Sequence, residues 1–392
     1  MFGIAFSTSA QAALDVLHAD GDFVRDTSGR AVILRGVTTI TQDNNGQDMV
    51  MFSSEYQRIQ SWSFNVQQIR VEGCRIGLIA PCQADTAYLN KLASWVDMAA
   101  QQGIYTIFKA TLYETFQGST RSTFSMLRLG IEGGATVQNT NINAWKAVWR
   151  RFLNNPNVIG YDFLNEPLPG SDDVDFTRRY LFPFYRLGAA NLQQTDPSKI
   201  FFFQPALQNS GTQEPLGVGN AVFAPHFYVL PQLYTATQLM NALLSTPARS
   251  GVPVIISEYG DPNVSIGSLS SGTPARDRED ASLFDAHALG AIRPWYTTNG
   301  AWALRQPDGS PNPRIAVFSR PYPQRRRILT FDYFADTSVR AQTQIYVPRN
   351  LGTGGFSVVS NDGLQLDSTS QFYDSNSQIL TISSFSPESP LR

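Results

Sequence analysis

The chain is predicted to fold as an α/β protein: a (β/α)8 TIM barrel with a small C-terminal antiparallel β domain. Three observations lead there. Apolar runs alternate with amphipathic helical stretches from about Ala31 to about Arg305. The length, 392 residues, suits a large barrel with an appendage. After about Arg325 the helical period disappears, and short strand-like runs are separated by Gly-, Asn-, Asp- and Ser-rich turns.

In chain order, residues 1–12 read as a signal-peptide remnant. Phe2-Gly3-Ile4-Ala5-Phe6 is apolar and Ala10-Gln11-Ala12 is a small-x-small cleavage pattern, but a basic n-region is missing. The catalytic barrel is assigned to 13–325. Its strands are read at Val32–Val37, Val66–Val71, Tyr105–Phe108, Val158–Leu164, Ile200–Gln204, Ala221–Ala224, Val254–Ser257 and Gly300–Leu304. Helical patterns lie between them: Thr86–Gln102, stopped by Gly103, then Asn143–Leu153 before Pro156, and Thr235–Leu244. The competing architecture is a doubly wound sheet. It carries a glycine-rich phosphate turn after the first strand, and Arg35-Gly36-Val37-Thr38-Thr39 is not one. Residues 326–392 read as a β-sandwich-like module with strands at Phe331–Phe334, Thr343–Val347, Phe356–Val359 and Ile379–Ile382. It is short for an independent core, so bracing the barrel is the expected role. Carbohydrate or membrane contact through its aromatics (Tyr333, Phe334, Tyr346, Phe356, Phe372, Tyr373) is the alternative.

Composition narrows the function. Aromatic residues make up 12% of the chain, a surplus that suits sugar-stacking surfaces as well as a core. A net charge of −2 points away from nucleic acid and from anionic membrane surfaces. No apolar run approaches the roughly 18 residues of a transmembrane helix. Cys74 and Cys82 could close a short disulfide loop in an exported chain, or remain two free thiols. Without a histidine cluster beside them they are not a zinc site, and no metal or cofactor is expected. A secreted or periplasmic monomer is the expectation.

Two strand ends carry the chemistry. Val158-Ile159-Gly160-Tyr161-Asp162-Phe163-Leu164 runs into Asn165-Glu166-Pro167, and Val254-Ile255-Ile256-Ser257 runs into Glu258-Tyr259-Gly260. Active sites of parallel barrels lie at the C-terminal ends of strands. Two carboxylates placed there suit retaining cleavage of a glycosidic bond. One protonates the leaving oxygen and the other, roughly 5 Å away, attacks the sugar carbon. The acid needs a raised pKa, and the nucleophile needs a nearby cation. Arg70, ending its strand, is the candidate cation.

Gly160–Pro167, Ile256–Gly260, Phe64-Asn65-Val66 with Arg70, and Pro225-His226-Phe227-Tyr228 together resemble glycoside hydrolase family 5 (clan A) over about residues 30–325. The resemblance implies Glu166 as acid/base and Glu258 as nucleophile. It implies Asn165 as the ligand of the sugar 2-hydroxyl and Arg70 as the residue holding Glu258. His226 and Tyr228 match the family's His-x-Tyr pair, the tyrosine orienting the nucleophile. Ala301-Trp302-Ala303-Leu304-Arg305-Gln306 is similar to the strand-eight segment of the endoglycoceramidase-like branch, which favours Trp302 over Trp295 as the stacking residue. Arg320-Pro321-Tyr322-Pro323-Gln324, followed by a β module, resembles the same branch.

Two departures fall on the site that grips the sugar. Lys109-Ala110-Thr111-Leu112-Tyr113-Glu114 stands where the branch carries Asp-Met-His-Gln-Asp, so Thr111 replaces a histidine. Thr41-Gln42-Asp43-Asn44-Asn45 also lacks the usual histidine. Lys109 and Glu114 either bind a different sugar or pair with each other. The leading expectation is a retaining glycosidase with a carbohydrate or glycolipid substrate and transient contact with membrane lipid. An endo-acting β-glucanase or mannanase, a transglycosylase, and a non-catalytic carbohydrate-binding protein are the alternatives. Trp62, Trp145 and Trp149 sit in helical patterns and are expected in the core rather than in a cleft.

Overall fold

The structure, a computed structural model, describes residues 14–42, 46–78, 82–111, 135–167, 173–206, 214–261, 273–298, 303–306, 308–310, 312, 342–346, 371–374 and 379–382. The expected leader at 1–12, the boundary at 326, the strands at Phe331–Phe334 and Phe356–Val359, Asp43–Asn45, Glu114 and Trp302 lie outside these residues.

A hairpin of β1 (His18–Asp20) and β2 (Phe23–Arg25) comes first. The alternating part begins with β3 (Arg35–Ile40), α1 (Ser53–Ser61), β4 (Val66–Glu72), α2 (Thr86–Ala100) and β5 (Tyr105–Thr111). It continues with α3 (Ala135–Arg151) and β6 (Val158–Asp162). Next, α4 (Asp173–Phe176) passes through a π-helical turn, Thr177–Leu181, into α5 (Phe182–Thr195). Then come β7 (Ile200–Phe203), β8 (Ala221–Phe223), β9 (His226–Phe227), α6 (Ala236–Ser245), β10 (Ile255–Ile256), β11 (Glu258–Tyr259), α7 (Thr273–Ala286) and β12 (Gly290–Arg293).

Eight of these strands form one parallel sheet in the order β10-β12-β3-β4-β5-β6-β7-β8. A parallel bridge between Phe223 and Val254 joins its two ends, so the sheet curls into the predicted barrel. Glycine permits the closest strand approaches: a Cβ on Gly36 would meet the Val66 carbonyl oxygen at 1.7 Å, and one on Gly160 the Ile200 carbonyl oxygen at 2.2 Å.

One strand was expected in the wrong place. The eighth barrel strand is Gly290–Arg293, paired with Ile255–Ile256 and with β3, and not Gly300–Leu304. Pro294 stops the run after four residues, which made it weak in the sequence. Leu304 instead folds back, its N–H donating to the Trp295 carbonyl at 3.1 Å.

The helices start where local chemistry satisfies their free N–H groups. Asp85 accepts from the backbone of Ala87 and Tyr88 at the head of α2, and Thr235 with Gln238 forms a capping box on α6. Trp62, Trp145 and Trp149 are buried as expected. A separate apolar cluster fills the barrel axis: Leu34, Val66, Ile107, Ile200, Val222, Ile255 and Ile292, with Leu17 and Val24 of the leading hairpin. The hairpin therefore plugs the N-terminal end and leaves the C-terminal mouth for chemistry. Near the C-terminus, β13 (Thr343–Tyr346), β14 (Gln371–Asp374) and β15 (Ile379–Ile382) form an antiparallel sheet in the order β13-β15-β14. Gln371–Asp374 was not read as a strand in the sequence. No helix among the described residues is long and apolar enough to cross a membrane.

Cys74 and Cys82, in the loop after β4, are joined in a disulfide. Loop-closure entropy makes a bridge over so short a loop worth about 2–3 kcal/mol. Cys74→Ser with Cys82→Ser is expected to lower the thermal midpoint by several degrees, measured by calorimetry. An unchanged midpoint would show that the bridge adds nothing to global stability.

Candidate active site

Along each barrel strand, alternate residues face the axis. On β4 these run Val66, Gln68, Arg70, and on β5 Ile107, Lys109. The lower ones belong to the apolar axis cluster, while the upper ones are polar and bond across the barrel. Asp162, ending β6, accepts from Gln204 Nε2 at 2.8 Å and from Gln68 Nε2 at 3.2 Å. Gln68 is in turn within 3.2 Å of the Thr38 hydroxyl. Burial pushes the Asp162 carboxyl up to about 6, against the opposing effects of Lys109, the Gln204 hydrogen bond and His226.

This polar floor carries Glu166. Its backbone N–H donates to Gln204 Oε1 at 2.8 Å, and its φ of 45° is left-handed, a costly conformation for a glutamate. The neighbouring Asn165 is buried, and its Oδ1 has no hydrogen-bond partner among the described residues. Across the mouth, β9 and β11 pair in parallel with His226 opposite Glu258. His226 Nδ1 lies 2.7 Å from Glu166 Oε1, and its Nε2 lies 3.9 Å from Glu258 Oε2. The Tyr228 hydroxyl donates a hydrogen bond to Glu258 Oε1. Burial, with the charges of Glu258 and Glu166, holds the Tyr228 phenol far above its usual range, so it remains a donor.

The two carboxylates differ in environment. The Glu166 side chain is 25% exposed and that of Glu258 10%. Burial alone would raise the Glu258 carboxyl. His226 and Lys109, with the hydrogen bonds from Tyr228 and Lys109, outweigh it and hold the group well below the ordinary glutamate range. An oxygen of each glutamate and a ring nitrogen of His226 lie within 4.8 Å of one another. Groups so spaced can ligate a metal, but Lys109 Nζ sits 3.2 Å from Glu258 Oε2 and already supplies the positive charge there. A dication between them would be repelled.

A family model described as cellulase (glycosyl hydrolase family 5) matches residues 26–287. The chain belongs to glycosyl hydrolase family 5. It is 25% identical to endoglycoceramidase I of Rhodococcus hoagii (strain 103S), in a match that spans 63% of this chain and 63% of the length of that relative. Among solved structures, endo-glycoceramidase II from Rhodococcus sp. in a cellobiose-like imidazole complex superposes with a TM-score of 0.73 at 19% identity. That match covers 94% of this chain and 98% of the other. An endogalactoceramidase follows with a TM-score of 0.67 at 16% identity, covering 96% and 99%. At these identities the likeness of the structures is one of fold.

Within this family frame, the structure brings five of the seven sequence-predicted residues to one mouth: Asn165, Glu166, His226, Tyr228 and Glu258. Arg70 is half-buried beside them, its guanidinium 5.6 Å from the centre of the Trp295 ring. It is within electrostatic reach of Glu72 and Glu258. Trp302 is outside the described residues; Trp295 lies two residues beyond the end of the eighth strand and is half-buried. The sequence reading missed Asp162 and Gln204, although each ends an inward-facing run of a recognised strand. It singled out Lys109, set against a sugar or Glu114, and named neither Glu258 nor His226 as its partner. Lys109 is completely buried, and it contacts Glu258 and His226 rather than open solvent.

Proposed function

We propose that the protein is a retaining glycoside hydrolase that cleaves β-glycosidic bonds by double displacement. Glu258 is the nucleophile and Glu166 the acid/base. The observation that carries this reading is the spacing of the two carboxylates, with oxygens within 4.8 Å at the ends of two barrel strands. Inverting enzymes keep their carboxyl groups about 6.5–9.5 Å apart to admit a water molecule, and retaining ones about 5–5.5 Å. The environments fit the roles. Glu258 is kept ionised by its cation and a phenol, while Glu166 is the more exposed of the two, as suits a group that must meet both a leaving group and water. The unpartnered Oδ1 of Asn165 suits a sugar hydroxyl, and Trp295 beside Arg70 suits a sugar face.

The substrate class is a β-linked glycolipid. The similar proteins named above are endoglycoceramidases and an endogalactoceramidase, which supports a sugar–ceramide linkage. The Cys74–Cys82 disulfide fits action in an oxidising compartment, outside the cytoplasm. The test is hydrolysis of glucosyl- and galactosyl-ceramides, lactosylceramide, aryl β-glycosides and β-glucan by the purified protein. Release of sugar from a glycosylceramide supports the reading. Turnover of β-glucan or aryl glycosides alone keeps the mechanism and removes the glycolipid. No turnover at all removes both.

A further inference from the structure

Lys109 reaches more of this site than Glu258 alone. Its side chain is completely buried on β5, beside Asp162 in the register of β5 with β6. Its Nζ donates to Glu258 Oε2 at 3.2 Å and lies 3.1 Å from His226 Nε2. An ammonium group can only donate, so His226 Nε2 is the acceptor and Nδ1 carries the ring hydrogen. That Nδ1 points at Glu166 Oε1, 2.7 Å away. Lys109 and His226 thus form a continuous hydrogen-bonded link between the two glutamates.

We propose that Lys109, acting with His226, is the shared counter-ion of both glutamates: a positioning residue whose charge stabilises Glu258 before the glycosyl–enzyme bond forms and Glu166 after it. The inference rests on the double-displacement reading above. In the first step a Glu258 oxygen bonds to the sugar C1 and the C1–O bond to the aglycon breaks. The proton of Glu166 goes to the departing oxygen. The negative charge has then moved from Glu258 to Glu166, one at each end of the link. In the second step water attacks C1, its proton goes to Glu166, and the bond to Glu258 breaks. The negative charge returns to Glu258. One fixed cation between the glutamates serves each charged form in turn, with no other charge having to enter the buried site.

Among the described residues, other charged or titratable groups also face the link. Asp162 lies below Lys109 and interacts with it, with His226 and with Glu258. Arg70 acts on Glu258 from β4 but is shared with Glu72. Tyr228 is a neutral donor to Glu258. Arg293 bonds to the Tyr259 carbonyl and acts on the Tyr228 phenol.

The test is the pH profile of kcat/KM on an aryl β-glycoside for the wild type, Lys109→Met and Lys109→Gln. The acid limb reports the group that must be ionised and the alkaline limb the group that must be protonated. Removing the cation raises both, so the whole bell moves to higher pH, the acid limb by about 1–3 units. A bell that falls in height without moving would reduce Lys109 to a packing role and overturn the inference. Lys109→Gln keeps a neutral donor and should fold if Lys109→Met does not. The wild-type profile tests the idea even without a folded variant. Its acid limb is expected well below the ordinary glutamate range, and a limb at or above that range, about 4.3, would overturn the assignment. A wild type inactive on every glycoside removes the hydrolase reading, and this inference with it. An active wild type whose variants keep its bell in place removes only the role of Lys109.

Discussion

Glu258→Gln is expected to lower kcat/KM by at least about 10⁴-fold on any substrate the wild type cleaves, the scale of losing a covalent nucleophile. The amide has nearly the volume of the carboxylate, so the loss would come from chemistry rather than from a cavity. It has one acceptor oxygen where two donors converge, Tyr228 on one side and Lys109 on the other. The oxygen must face Lys109, which can only donate, and the Tyr228 hydroxyl must turn to accept from the amide. The buried lysine also loses its charged partner. Removing one member of a buried pair costs about 3–5 kcal/mol when nothing compensates. Here Asp162 and His226 remain, so the thermal midpoint should fall only modestly. The measurement is kcat/KM beside a circular-dichroism melt. A folded variant keeping more than about 1% of the wild-type rate would remove Glu258 from the nucleophile's role.

The sequence made these two glutamates legible because barrel strands are buried on both faces and read as apolar runs. A polar residue ending such a run marks the mouth, and Glu166 and Glu258 were found that way. The same rule gave seven of the eight strands. It failed at Gly290–Arg293, a four-residue run that Pro294 cuts short. Lys109 shows a second kind of limit. Its strand, its position and its departure from the family pattern were all visible. Its partners were not, because they depend on how β5 faces β9 and β11 across the barrel. Two residues more than 100 positions apart in sequence meet its ammonium. Asp162 and Gln204 were hidden for the same reason: each lies within a recognised strand run, and only the closed barrel turns them toward one another.

Glu166→Ala is expected to separate the two chemical steps. Alanine keeps a side chain at the left-handed φ of 45°, so the backbone cost is not relieved as it would be by glycine. The general-acid contribution, about 10²–10⁴-fold, should vanish for substrates with a poor leaving group such as ceramide. A dinitrophenyl glycoside needs no proton, so formation of the glycosyl–Glu258 bond should stay fast. Its breakdown should become slow for want of a base, and dinitrophenol should appear in a burst equal to the enzyme present. Azide, a nucleophile that needs no base, can enter the space left by the carboxylate. Its nitrogen would bond to C1 as the C1–O bond to Glu258 breaks, raising the steady rate. The configuration of the sugar azide then decides the mechanism. Two inversions give the β-azide. An α-azide, formed in one displacement from the opposite face, would mean that Glu258 never held the sugar. The close spacing of the glutamates would then have to be explained without a covalent intermediate.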